Sequence, residues 1–207
     1  MREELSKLYL SGNGIEIGAL CHPLKVNGAV TYVDRMVNED LLKQYPDLPV
    51  EQMAPVNIVD NGETLEKFDA NSQDFVIANH FLEHCRNPIG TLENWLRVLK
   101  RGGKIFCALP DKEKSFDAHR KLTSIEHIVQ DSEGPTDDWD HFLEFAHGDE
   151  AQAQHLMDMN YSIHYHVWDS QTILELLVNI QAWFDVTIRA FIHTDERDEF
   201  IFVIEKK

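Results

Sequence analysis

"DFVIANHFLEHCRNPIGTLENWLRVLKRGGKIFCALPD", residues 74–111, decides the fold. It opens on a short apolar run at 74–79, which reads as a strand covered on both faces. Asn87 and Pro88 then introduce a helical pattern. Ile89, Leu92, Leu96 and Leu99 share one face, and Gly102 and Gly103 are expected to end the helix. A second apolar run follows at 104–109. Strand, helix and strand in this order form the parallel crossover unit of α/β folds.

Upstream, "NGIEIGALCHPLKV" (13–26) places Ile15 and Ile17 around Glu16 and ends its apolar run in Gly18. A buried parallel strand ends this way where backbone must come close to a nucleotide. The second glycine of such a turn is absent; Leu20 stands there, and Pro23 soon follows. About eleven residues separate Gly18 from Val30, too few for a helix and both its turns, so the first helix is expected to be lost or shortened. Further strands fall at 30–34 and 56–60, with a helix over "NEDLLKQYP" between them and another at 2–10.

Downstream, "WDSQTILELLVNIQAWF" offers Asp169 or Ser170 as a cap and lines up Ile173, Leu176, Leu177 and Ile180. "FDVTIRAFIHT" and "EFIFVIEK", joined by "DERDE", predict a terminal hairpin. The expectation is one domain over 1–207, α/β, with a mostly parallel seven-stranded sheet whose C-terminal strand is antiparallel. Residues 110–166 look irregular and rich in His, Asp, Trp and Phe. An insertion of that length suits a lid or substrate wall; its aromatics would equally suit the interface of a homodimer.

A net charge of −17 without clustered Lys and Arg argues against a nucleic-acid partner. The one basic cluster, "VLKRGGK", suits a helix end. No apolar stretch approaches the roughly 20 residues of a membrane span. "MREELSKLYL" lacks the apolar core of a secretion signal, and Cys21, Cys85 and Cys107 are odd in number and far apart. These features predict a cytoplasmic protein with reduced thiols.

Several stretches together resemble the class I S-adenosylmethionine (SAM)-dependent methyltransferases of the type 11 kind. "IEIGA" is similar to their first motif, "TYVDRM" to their second strand with its terminal acid, and residues 74–111 to their fourth strand, helix and fifth strand. "FDAHRKLTSIEHIVQD" and "HYHVWD" resemble segments of bacterial methyltransferases associated with glycosyltransferases and surface-polysaccharide pathways. The resemblance implies a Rossmann-like fold and SAM as cofactor. It also implies that Glu16 lies near the SAM amino group or orders the loop around it, and that Asp60 meets the adenine amino group with Gly62 leaving room for the base. Gly18 would supply close backbone approach, and Asp34 the acid that accepts hydrogen bonds from the ribose hydroxyls.

Asn79 and His80 end a strand where the carboxyl edge lines the ligand crevice, near the reactive methyl. Methyl transfer from a sulfonium needs in-line approach and, for a hydroxyl acceptor, removal of a proton. His80, Asp111 and His166 are candidate bases. Asp117, His119, Arg120, His164 and His166 are candidates to hold a small-molecule or glycan acceptor, since carboxylates and guanidinium groups bind hydroxyls directionally; the same residues could instead cap and tether the insertion. His80 and His84, four apart, could hold a metal, but no second pair has assured geometry with them, and no metal site is expected. The reading is a SAM-dependent O-methyltransferase of a carbohydrate or similar polar acceptor. A catalytically silent SAM-fold module in glycan assembly and a metal-dependent hydrolase built on the histidines are the rivals.

Overall fold

A computed structural model describes residues 1–134, 138–194 and 197–207. Seven strands form one sheet: β1 (Ser11–Ile17), β2 (Asn27–Asp34), β3 (Ile58–Val59), β4 (Gln73–Asn79), β5 (Leu99–Pro110), β6 (Val186–Thr194) and β7 (Glu199–Lys206), in spatial order β3-β2-β1-β4-β5-β7-β6. The first five run parallel, and β7 is antiparallel to both β5 and β6. Asp195 and Glu196, in the expected hairpin link, lie outside the described residues.

The sheet shows why short apolar runs made strands. In β4, Val76 and Ala78 enter one core with Ile15, Ile17, Ile105 and Cys107, while Phe75 and Ile77 enter another with Phe106 and Ala108. All four β4 residues are fully buried, as the period-two alternation of a doubly covered strand requires. The first core is closed by α3 (Pro88–Val98) and α7 (Ser170–Trp183) through Leu92, Trp95, Ile173 and Leu176. The second is covered by Leu5 of α1 (Arg2–Tyr9), Leu10 and Leu24. Each such side chain contributes about 1.5–3 kcal/mol on burial.

Local chemistry sets the helix ends. Asn87 accepts a hydrogen bond from the Gly90 amide at 2.8 Å and Pro88 takes the first turn. Asp169 caps α7 in a reciprocal box with Thr172. The glycines do not end α3. Helical geometry stops at Val98 because Leu99 turns extended and enters the core, already within β5. Gly102, at φ 78°, instead sits where the β4–β5 register shifts between Gln73 and Phe75.

Between β1 and β2 no helix forms, as the short spacing requires. Gly18 has φ 63° and Leu20 φ 44°, so leucine takes a left-handed conformation where related loops place glycine. Helix α2 (Asn38–Gln44) follows β2. The strand expected over 56–60 shrinks to two residues.

The insertion is not irregular. It holds two 3-10 turns (Lys112–Lys114 and Phe116–His119) and helices α4 (Ile125–Glu133), α5 (Asp138–Phe145) and α6 (Glu150–Asp158). Ser124 and Asp149 cap α4 and α6. Phe142, Ala146, Ala153 and Ile163 make a small core with Phe145 and Tyr165 against it. Residues 135–137 lie outside the described part. No described helix is long and apolar enough to cross a membrane.

Candidate functional site

At the carboxyl ends of β1 and β4 the fold leaves a cavity of about 510 Å³, within the range of small-molecule sites. Arg2, Glu16 to Leu20, His22, Asn79, His80 and Arg197 wall it. Parallel strands deliver backbone and side chains there together, which is why binding residues collect at this edge. Among the described residues, none of the insertion contributes to that wall.

Glu16 is buried and accepts the Leu24 amide at 3.0 Å on each carboxylate oxygen, so it orders the loop after Gly18. Burial pushes its carboxyl up to about 7, against the lowering effect of the Leu24 hydrogen bond and the Arg2 charge. Asn79 stands beside it, its amide nitrogen and oxygen buried and without a hydrogen-bond partner among the described residues. A Cβ on Gly18 would meet only Phe81 at 3.6 Å, so the positive φ, not crowding, favours glycine and leaves its backbone open to the cavity.

Asp34 ends β2, one strand away, half-buried and held by the Arg35 amide at 2.7 Å. Burial raises its carboxyl. Asp60 accepts the amides of Asn61 and Lys67 at 2.9 Å each and so ties its own turn together. Gly62 is also demanded by packing. A Cβ there would lie 2.4 Å from Ile17 and 2.5 Å from Phe81, so the glycine is required by close packing of those side chains.

His80 is not a free base. Its Nε2 is 3.0 Å from Glu199 and its Nδ1 3.4 Å from Glu83. Burial opposes the charge, yet the two carboxylates prevail and bring the imidazole up to about 9, cationic at neutral pH. Asp111 is buried as a tether: it caps the Lys112–Lys114 turn through the Glu113 amide at 3.0 Å and lies 2.9 Å from His193 Nε2. His166 is fully buried, and desolvation takes its imidazole down to about 3. Neither Asp111 nor His166 lines the cavity; of the three candidate bases His80 does, held there between the Glu83 and Glu199 carboxylates.

The acceptor candidates are likewise engaged. Asp117 receives Arg120 at 2.8 Å and His164 Nδ1 at 2.6 Å. Arg120 also binds Glu144, and its guanidinium lies 5.3 Å from the Phe145 ring centre. All three are buried, and only His119 is exposed. The tethering alternative accounts for this network. Sequence reasoning missed Arg2, His22, Arg197 and Glu199. Arg2 Nε meets Glu199 Oε1 at 2.7 Å across 197 positions of chain, a pairing with no local signal.

Residues 11–107 match the family model of the methyltransferase domain. Solved structures share the architecture along nearly the whole chain. One, provisionally assigned as a SAM-dependent methyltransferase of Methanococcus maripaludis, is 16% identical with TM-score 0.51, covering 96% of this chain and 79% of that one. Another, with the same provisional assignment in Listeria monocytogenes, is 11% identical with TM-score 0.53, covering 96% and 92%. The fold is that of a class I methyltransferase. At these identities the structures speak to the fold alone. An uncharacterized protein of Methanocaldococcus jannaschii is 30% identical over 115 residues, 54% of this chain and 51% of that protein. The chain therefore spans about half the length of that curated relative. The acid, the buried amide and the open glycine at this cavity would fit the amino-acid end of SAM.

Proposed function

We propose that the protein is an enzyme that transfers the methyl group of SAM to an oxygen of a small polar acceptor, a carbohydrate hydroxyl foremost. The grouping of Glu16, Gly18 and Asn79 on one cavity carries the reading. It offers a carboxylate, accessible backbone and an amide to a cationic amino-acid tail, and leaves the rest of the cavity to the donor's remaining parts. Arg2, His22, His80 and Arg197 make the wall polar and largely basic, which favours a hydroxylated or anionic acceptor over an apolar one. Asp34 and Asp60 are assigned to the ribose and adenine, as the family resemblance implies.

The helical insertion stands as a wall beside the carboxyl edge. Three buried, unpaired cysteines suit a reducing cytoplasm, and a glycan-assembly setting rests on the resemblance of the insertion's segments. Calorimetry with SAM and S-adenosylhomocysteine tests the cofactor, and a screen of nucleotide sugars and glycans for S-adenosylhomocysteine release tests the acceptor. Binding of neither nucleoside would overturn the reading. Binding without turnover across the screen would remove the proposed acceptor class.

A further inference from the structure

Glu83 is fully buried, and neither of its carboxylate oxygens has a hydrogen-bond partner among the described residues. The nearest cation is His80, whose Nδ1 stands 3.4 Å from Oε1. A buried carboxylate so poorly satisfied is costly and calls for a ligand. His84 follows it on the same 3-10 turn, Leu82–His84, and His164 faces it from the insertion. One ligating atom from each of Glu83, His84 and His164 lies within 4.8 Å of the other two.

Both imidazoles are already oriented. His84 Nδ1 is 2.8 Å from the Ile163 carbonyl and His164 Nδ1 is 2.6 Å from Asp117, itself held by Arg120. With Nδ1–H donated in this way, Nε2 is the lone-pair nitrogen that each ring retains. A carbonyl or carboxylate behind a metal-bound histidine has this same role. The other histidine–carboxylate group, His127, Asp131 and His166, is better supplied: Asp131 Oδ1 has His141 Nε2 at 3.4 Å and Oδ2 lies 3.2 Å from His127, whereas Glu83 has His80 alone as an ion-pair partner within 4 Å, although Asp131 Oδ2 and His166 Nδ1 also lack a hydrogen-bond partner among the described residues.

The geometry points to a divalent transition-metal site formed by Glu83, His84 and His164, on the turn that begins just beyond the cavity residue His80, where an ion would join that turn to the insertion. Two imidazoles and one carboxylate suit manganese, iron, cobalt or zinc better than magnesium or calcium. Asp117 is then a positioning residue acting through His164.

The test titrates chelator-stripped protein with Mn²⁺, Co²⁺ and Zn²⁺ by calorimetry and measures SAM binding in parallel. The expected result is one site per chain. Glu83→Gln and His164→Gln should weaken it at least 10-fold, and Asp117→Asn about 10–100-fold, in variants whose circular dichroism matches the parent. On the unmutated cobalt protein, hyperfine-shifted proton resonances should reveal two exchangeable imidazole N–H groups, a readout independent of any variant's folding. Absence of binding by all three metals to protein that binds SAM would overturn the site and leave the methyltransferase reading standing. So would binding abolished only by Asp131→Asn. Metal binding without SAM binding would sustain the site and sink that reading.

Discussion

His80 Nε2 lies 3.0 Å from Glu199 Oε2, so the last residue positions of β4 are tied to the start of β7. Arg2 binds the same carboxylate, which brings α1 against the cavity. Glu199 is buried, and its two cationic partners hold it below the usual carboxylate range despite the opposing cost of burial. Replacing it leaves the Arg2 guanidinium without its buried carboxylate and removes one of the two acids that favour the charged form of His80. Glu199→Ala should destabilise the fold by about 3 kcal/mol or more, as breaking a buried pair does. Urea denaturation measures this; a loss under about 1 kcal/mol would show that solvent, not Glu199, carries the pair.

Asp34→Ala should weaken SAM binding about tenfold or more, since a charge-assisted hydrogen bond contributes about 1.5–3 kcal/mol. Stability should change little, because the carboxylate's recorded hydrogen bonds come from the neighbouring Arg35 and Met36 amides. An unchanged dissociation constant would remove Asp34 from the ribose site.

The sheet was legible because its signals are local: short apolar runs, the cap candidate Asp169, and a β1–β2 link too short for a helix. The insertion was not, since α4, α5 and α6 are eight or nine residues long and mix His, Asp and Glu into their faces. Periodicity over so few residues is weak. Within the site, Glu16, Gly18, Asn79 and His80 reach the cavity as strand-end position predicts. Their chemistry was harder to read. The charge of His80 depends on Glu199, more than a hundred positions away, and the packing that requires Gly62 depends on Phe81. Leu20 shows a further limit: a loop that tolerates leucine at φ 44° satisfies the backbone requirement without the residue that advertises it.

Glu16 makes cofactor binding pH-dependent. Burial raises its carboxyl from 4.5 to about 7, so the protonated form is favoured in the free protein. The sign follows from linkage: as pH rises through 4.5 the unfolded chain gives up this proton, while the folded protein retains it until about 7. Stability is therefore lost over that window, by an amount on the order of 3 kcal/mol. Glu16→Gln should remove this slope and make the free protein more stable above pH 7. The cationic tail of SAM prefers the ionised acid, so affinity should fall as pH drops below about 7 in the parent and be weaker and flat in the variant. Parallel slopes in calorimetry from pH 5.5 to 8 would separate Glu16 from the cofactor.

Arg120 decides whether the insertion's charged cluster serves the acceptor directly or builds the wall. Its guanidinium joins Asp117 to Glu144 and lies over Phe145, linking the Phe116–His119 turn to α5. Arg120→Ala would leave Asp117 buried with the His164 imidazole as its main remaining side-chain partner and free Glu144 toward solvent. The cost should be about 3 kcal/mol or more, concentrated in the insertion. Hydrogen exchange should then quicken across 125–158, where α4, α5 and α6 lie, while the amides of β1, β4 and β5 stay protected. SAM affinity should remain near that of the parent, because no described residue of the insertion walls the cavity. If exchange in the insertion stays slow while methyl transfer falls, Arg120 contacts the acceptor itself, and the wall must be held by other residues.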